Sequence, residues 1–193
     1  MDFNRQRDFQ KEFVTTVSYE EITNSFINPL TENLTRILCQ GLKLIEKIDD
    51  ASFIAGEKGS VGVHFRHSVD FIENFLKGIE REKIDYHQRQ RNVEAERNRR
   101  KAILRISEAI SQLQSLKISN LEKPIMVRIE EVSSLIGKPE WAWSSGLREL
   151  DFLQSHTIHH FALIAYKLRA LGIEVDKEFG VAPSTLKFWK EAA

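Results

Sequence analysis

The stretch SHTIHHFALI, residues 155–164, places three of the chain's six histidines within five positions of an apolar segment. In a helix each residue turns by about 100°, so His156 and His160 lie one turn apart on the same face. Leu153 and Ile164 continue this stripe and are residue types of a protein core, so we expect the pair to point inward. Helical zinc sites use this spacing to bring two imidazoles to one ion.

Helical periodicity recurs in three segments that precede this stretch. They cover about residues 30–48, 60–78 and 103–113, with apolar residues three and four positions apart. The last helix is predicted to begin near Ser144–Ser145 and to end at about Leu171, because Gly172 is a natural C-terminal stop. Four long amphipathic helices with few other elements predict an all-α protein built as a four-helix bundle.

Two short segments between the third and fourth helices favour β-structure. KPIMVRIEE (residues 123–131) and PEWAWSS (residues 139–145) predict a small β-hairpin. Trp141 and Trp143 lie on one side of such a strand, where we expect packing against the bundle rather than a dimer contact or a pocket wall. The tail, residues 173–193, is rich in apolar and aromatic residues and is expected to pack back on the bundle.

Composition excludes several classes of protein. The chain has 193 residues with 28 basic and 28 acidic side chains, so no net charge attracts it to nucleic acid. A single cysteine, Cys39, excludes an internal disulfide framework and cysteine-rich zinc motifs. No secretory signal and no apolar run of membrane-spanning length is visible, so we expect a cytoplasmic protein without a membrane partner. Residues 81–105 are locally basic, which favours a solvated segment over a nucleic-acid site.

A second histidine cluster, HFRH at residues 64–67, lies on the second predicted helix. His64 or His67 could supply a third ligand from a helix that faces the last one, as metal sites in helical bundles do. Three imidazoles would leave a coordination position open for water or substrate. Zinc fits such a site best, although imidazole also suits nickel, iron and copper. Asp70, one turn beyond His67, could orient a ligand, and His159 borders the pair on the last helix.

These two clusters, in this order, resemble the DinB/YfiT-like superfamily. Its members are four-helix bundles with an H-x-x-D motif on the second helix, matched by His67 and Asp70, and an H-x-x-x-H pair on the last helix, matched by His156 and His160. Four longer segments are similar to a bacterial branch of the superfamily: GVHFRHSVDF, IDYHQRQR, RELDFLQSHTIHHFALI and FGVAPSTL. His64 is a departure, because it gives the second helix two candidate ligands.

The resemblance covers residues 28–172 and leaves residues 1–27 as an N-terminal extension without a counterpart. It implies a divalent metal, zinc or nickel, bound by His67 or His64 with the H-x-x-x-H pair, and a homodimer. The activity it implies is a metal-dependent hydrolase acting on a small molecule, with His159 or Asp70 as candidate catalytic base. The alternatives are a transferase of low-molecular-weight thiols and a metal-binding bundle without catalysis. Within IDYHQRQR, Tyr86, Arg89 and Arg91 could instead reach an anionic substrate.

Overall fold

The computed structural model describes residues 29–56, 59–88, 93–129 and 134–192. These residues form a mainly helical structure with a small three-stranded sheet. The predicted extension, residues 1–27, lies outside the described residues. No helix in the described ranges combines the length and the apolar character that crossing a lipid bilayer requires.

The elements follow one another from the first long helix to a short C-terminal one. In chain order the helices are α1 (Pro29–Lys47), α2 (Asp50–Ile54), α3 (Val61–Ile79), α4 (Val93–Arg97), α5 (Arg99–Gln114), α6 (Ile118–Leu121), α7 (Gly146–Ala170) and α8 (Pro183–Glu191). The strands are β1 (Lys83–Ile84), β2 (Pro124–Arg128) and β3 (Trp141–Ser145). Both predicted histidine clusters therefore lie on long helices, α3 and α7.

The four long helices each pack against two of the others. Helix α7 contacts α3 and α1, and α5 contacts the same two helices. Phe65 of α3 and Phe161 of α7 pack edge to face with their ring centroids 5.1 Å apart, and both are buried. A side chain at Gly41 of α1 would come within 2.6 Å of the Phe161 ring, so this glycine allows α1 to lie close to α7. The apolar faces that the periodicity predicts meet in one core.

The ends of α3 and α7 agree with the sequence prediction. The Ser60 hydroxyl accepts a hydrogen bond from the Val63 amide at 3.1 Å, and Ser145 accepts one from Arg148 at 3.3 Å. Both serines are side-chain N-caps, which satisfy amide groups that have no partner within the helix. Gly172 follows α7 with φ of 75°, the left-handed conformation that a glycine adopts without strain. Capping residues therefore mark the beginnings of both histidine helices and the end of α7.

The predicted pairing of the two β-segments is present, and a third strand extends it. Strand β2 pairs antiparallel with β3, and the two-residue β1 adds to the other edge of β2 in parallel. The structure does not confirm the expectation that the two tryptophans pack against the bundle. Trp141 lies under the Lys83 ammonium, 4.1 Å from the ring centroid, whereas 74% of Trp143 is exposed to solvent. Trp143 therefore does not pack against the helices.

The segment after α7 contacts the core through two apolar side chains. Val175 and Phe179 are buried, and the Phe179 ring stacks on Phe161 with centroids 4.8 Å apart. Gly180 has φ of 73°, and a side chain there would collide with the α7 backbone at Ala162. This part of the tail is therefore held against α7, and α8, which has no buried residue, follows it.

Candidate metal centre

Packing of α3 against α7 brings histidines of the two helices together. His67 comes from α3, and His156 and His160 come from successive turns of α7. Each offers one ring nitrogen, and these three atoms all lie within 4.8 Å of one another. The ring centroids are 4.5 Å apart for His67 and His160, 4.6 Å for His156 and His160, and 5.0 Å for His67 and His156. We call these three residues the histidine cluster.

The histidine cluster has the donor chemistry that a divalent transition metal requires. A tetrahedral zinc site with Zn–N bonds of about 2.1 Å needs its nitrogens roughly 3.4 Å apart. The three nitrogens lie within 4.8 Å of one another on half-buried rings, so ring rotation would have to bring them to that spacing. All three donors are imidazoles. Imidazole binds zinc, nickel and related ions well and binds calcium or magnesium poorly. The residues present therefore fit a bound transition metal.

Burial keeps His160 in the form that can bind a metal. Partial burial, together with the positive forms of the neighbouring His156, His67, His64 and His159, lowers the pKa of His160 to about 3. At neutral pH the His160 imidazole is therefore uncharged, and one of its ring nitrogens carries a lone pair. A neutral imidazole competes for a metal ion without first losing a proton.

The structure separates the two histidines of α3. His67 belongs to the histidine cluster, whereas the Nδ1 atom of His64 lies 3.0 Å from the Nδ1 atom of His160. This distance is a hydrogen bond between two imidazoles. Burial lowers the pKa of His64, and the positive charges of Lys167 and His159 act in the same direction. His64 therefore contacts the histidine cluster through His160, and His67 is the α3 residue that belongs to the cluster.

Aromatic side chains that the sequence did not lead us to expect pack against the histidine cluster. The Phe71 ring lies 4.5 Å from His156 and 4.8 Å from His67, measured between centroids. Tyr86 stacks on Phe71 with centroids 5.2 Å apart, and Phe152 stacks on His156 with centroids 5.5 Å apart. Phe71 and Phe152 each lie four residues from a cluster histidine, on the same helix face. That spacing was visible in the sequence and could have predicted the contact.

Tyr86 is held by a buried carboxylate and does not face an open site. Its hydroxyl donates a hydrogen bond of 2.9 Å to Glu149, and the Ser144 hydroxyl donates one of 2.6 Å to the same carboxylate. Burial raises the pKa of the Tyr86 phenol, and the charge of Glu149 raises it further. The expected contact of Tyr86 with an anionic substrate is therefore replaced by this internal bond. Arg89 and Arg91 lie outside the described residues.

Asp70 does not join the histidine cluster, contrary to the expectation from the H-x-x-D motif. Its carboxylate accepts hydrogen bonds from Arg66 at 3.1 Å and from Arg105 of α5 at 2.9 Å. The side chain is fully buried, and the same arginines also pair with Glu96 and Glu73. The turn of the helix explains the difference, because Asp70 lies about 60° from His67 and points toward α5. Its charge is neutralised by the arginines, so it has no place as a base.

The remaining predicted residues lie around the cluster or away from it. His159 is exposed, and its ring lies 5.2 Å from the His160 ring. His87 is exposed, in agreement with its prediction as a surface residue. Cys39 is buried among core residues, and burial raises the pKa of its thiol. A buried thiol with a raised pKa is protonated at neutral pH and behaves as a small apolar side chain.

A large cleft lies on another side of α3. It has a volume of about 1100 Å³, and its lining includes Glu73, Lys77, Arg81, Asp85 and Trp141. None of its described lining residues is a histidine. The large cleft and the histidine cluster are therefore in different places. The histidine cluster is the candidate site because its side chains can bind a metal.

Part of the chain is similar to a protein of known sequence. It is 32% identical over 141 residues to a protein named FK506-binding protein 5 from Rhizopus delemar (strain RA 99-880). The match covers 64% of this chain and 36% of that protein, so the chain spans about a third of the relative's length. No protein-family model and no solved structure matches the chain. The match is too partial to carry over what the relative binds, and the DinB/YfiT-like resemblance remains a prediction.

Proposed function

We propose that His67, His156 and His160 bind one divalent transition-metal ion, with zinc preferred and nickel as the second choice. One observation supports this most strongly: a ring nitrogen of each histidine lies within 4.8 Å of the other two. The two helices that carry them are fixed by a shared apolar core, so the three donors converge before an ion arrives. Preorganised donors reduce the cost of binding.

On this site we propose a metal-dependent hydrolase of the DinB/YfiT-like type, with α1, α3, α5 and α7 as its four-helix bundle. A bound ion with three protein ligands would supply Lewis-acid chemistry at its open position, polarising a carbonyl or lowering the pKa of water toward ~7. His159 is the candidate base, because it is exposed beside His160 and Asp70 is neutralised by two arginines. The small-molecule substrate, the homodimer and the cytoplasmic location belong to the same proposal.

A second candidate function is a metal-binding bundle without catalysis. The observation that favours it is the 3.0 Å separation between the Nδ1 atoms of His64 and His160. If both nitrogens turned toward one ion, His64 would become a fourth protein ligand and close the site. Sites closed by four protein ligands are typical of structural zinc.

The first experiment measures metal content. Purified protein loaded with zinc and then dialysed should contain one zinc per chain, measured by elemental analysis. Alanine at His67, His156 or His160 should remove it, because the two remaining imidazoles hold zinc more weakly than three. His87→Ala is the matched control, since it removes an exposed histidine and should keep the ion. Full zinc retention in any one of the three cluster variants would remove that residue from the ligand set.

The second experiment measures turnover. The zinc-loaded protein is tested against a panel of esters and amides and against electrophiles conjugated to low-molecular-weight thiols. Hydrolysis of the first group that is lost with His67→Ala and reduced with His159→Ala supports the hydrolase. Consumption of the thiol conjugates alone would favour the transferase. Stoichiometric zinc without turnover of either group would favour the bundle without catalysis.

A further inference from the structure

His64 lies beside the histidine cluster but is not one of its three residues. It is half-buried on α3, one turn before His67, and its ring lies 5.2 Å from that of His160. Its Nδ1 atom meets the Nδ1 atom of His160 at 3.0 Å. A histidine in this position either binds the ion directly or forms a hydrogen bond that orients one of the histidines that bind it.

We infer that His64 is a positioning residue, which holds His160 so that its Nε2 atom faces the metal. An imidazole has two ring nitrogens, and the hydrogen bond occupies Nδ1 of His160, which leaves Nε2 for the ion. This inference rests on the proposed metal site. It adds the residue that orients one of the ligands and fixes its tautomer.

The direction of the hydrogen bond follows from the same requirement. A neutral His160 that offers the Nε2 lone pair must carry its proton on Nδ1. It therefore donates to Nδ1 of His64, whose own proton lies on Nε2. Metal-bound histidines commonly donate their second N–H to a carboxylate, a carbonyl or water, and this bond sets both ring orientation and basicity. Here a second imidazole takes the place of that acceptor.

The surroundings of the pair favour this role over direct binding. Asp70, the carboxylate nearest in sequence, is bonded by Arg66 and Arg105 and is not available as the acceptor. The Nδ1 atom of His64, 3.0 Å from Nδ1 of His160, is the group that takes the acceptor's place.

The test compares three variants in a zinc competition assay with a chelating dye. His64→Leu removes the hydrogen bond at similar volume and should weaken zinc binding 10- to 100-fold while the stoichiometry stays at one ion per chain. His64→Asn, whose amide nitrogen and oxygen can still reach Nδ1 of His160, should stay within a few-fold of the wild type. His87→Ala removes an exposed histidine outside the histidine cluster and, as the control, should not change the affinity.

Three results would overturn the inference. Equal zinc affinity in His64→Leu and the wild type would leave the hydrogen bond without a role. A loss of stoichiometric zinc in His64→Leu, with a changed Co²⁺ absorption spectrum, would make His64 a ligand. An affinity of His64→Asn as low as that of His64→Leu would show that the hydrogen bond is not the cause.

A measurement on the metal-free protein separates this inference from the proposed function. Multiple-bond ¹H–¹⁵N spectra report which nitrogen of each imidazole carries the proton. We expect His160 as the Nδ1–H tautomer and a change of that population in His64→Leu. If the tautomer is as expected and zinc does not bind, the proposed function fails and the hydrogen bond stands. If His160 is the Nε2–H tautomer in the wild type, the inference fails whatever the metal does.

Discussion

The Asp70 side chain pairs with arginines and does not contribute to the histidine cluster. Its carboxylate is fully buried and bonded by Arg66 and Arg105, so its charge stabilises the contact between α3 and α5. The H-x-x-D spacing predicted a partner for a metal ligand. Spacing alone could not show that arginines of two helices converge on the carboxylate, because Arg105 is 35 residues away in sequence.

Replacing Asp70 should therefore affect stability and leave metal binding intact. Asp70→Asn leaves two buried guanidinium groups with less compensating charge, and we expect a loss of about 3 kcal/mol in the free energy of unfolding. Asp151→Asn, an exposed acidic residue on α7, is the control and should change stability by less than about 0.5 kcal/mol. Urea unfolding measures both. A variant that keeps its stability and loses zinc would restore Asp70 to the metal site.

The low pKa of His160 predicts how the metal-free protein responds to acid. Burial and the charges of neighbouring histidines lower this pKa to about 3 from the 6.5 of an ordinary histidine. Between these values the unfolded chain binds more protons than the folded one, so stability falls as the pH drops from 6.5 toward 3. We expect the urea midpoint, measured with a chelator present, to fall less steeply in His160→Leu than in the wild type. His87→Ala should follow the wild type, and equal slopes in all three would contradict the prediction.

At the scale of the elements, the accuracy of the sequence prediction depended on local signals. The bounds of α7 were predictable because Ser145 caps one end and Gly172 ends the other. Strand β1 has two residues and no alternating pattern, so no sequence signal reports it. Helix α4 lies in a basic stretch and has one buried residue, Ala95, which is too few to produce a periodicity.

The same limit applied to the choice between His64 and His67. The two residues lie one turn apart on α3, so helical periodicity places both toward α7. Which of them reaches the pair on α7 depends on how the two helices pack, and that packing is a property of the whole core. The ligand pair on α7 was predictable because both members share one helix, whereas the third ligand required the structure.

Close packing of α3 against α4 predicts a sharp response at Gly62. A side chain there would collide with the backbone carbonyl of Glu96, which cannot move aside without displacing α4. We expect Gly62→Ala to lower the free energy of unfolding by about 1–3 kcal/mol. Gly59→Ala is the control, because its nearest neighbour would be the Lys167 ammonium at 3.9 Å. Similar urea midpoints for the two variants would contradict this account of the α3–α4 contact.

At the scale of the whole molecule, the proposed ion joins His67 of α3 to His156 and His160 of α7, and residues 80–145 separate the two helices. A ligand that binds only the folded state adds about 2.7 kcal/mol of stability when its free concentration is 100 times Kd. We therefore expect zinc to raise the thermal midpoint of the wild type and a chelator to reverse the increase. His156→Ala should show no increase. An equal increase in that variant would mean that zinc stabilises the protein from another site.

The central claim is that one metal ion lies between His67, His156 and His160. Crystals grown with zinc and measured on both sides of the zinc absorption edge test it most directly. The account predicts one anomalous peak about 2.0–2.1 Å from a nitrogen of each of the three residues, with His64 beyond bonding distance of the ion. A zinc peak elsewhere, with none at the histidine cluster, would contradict it.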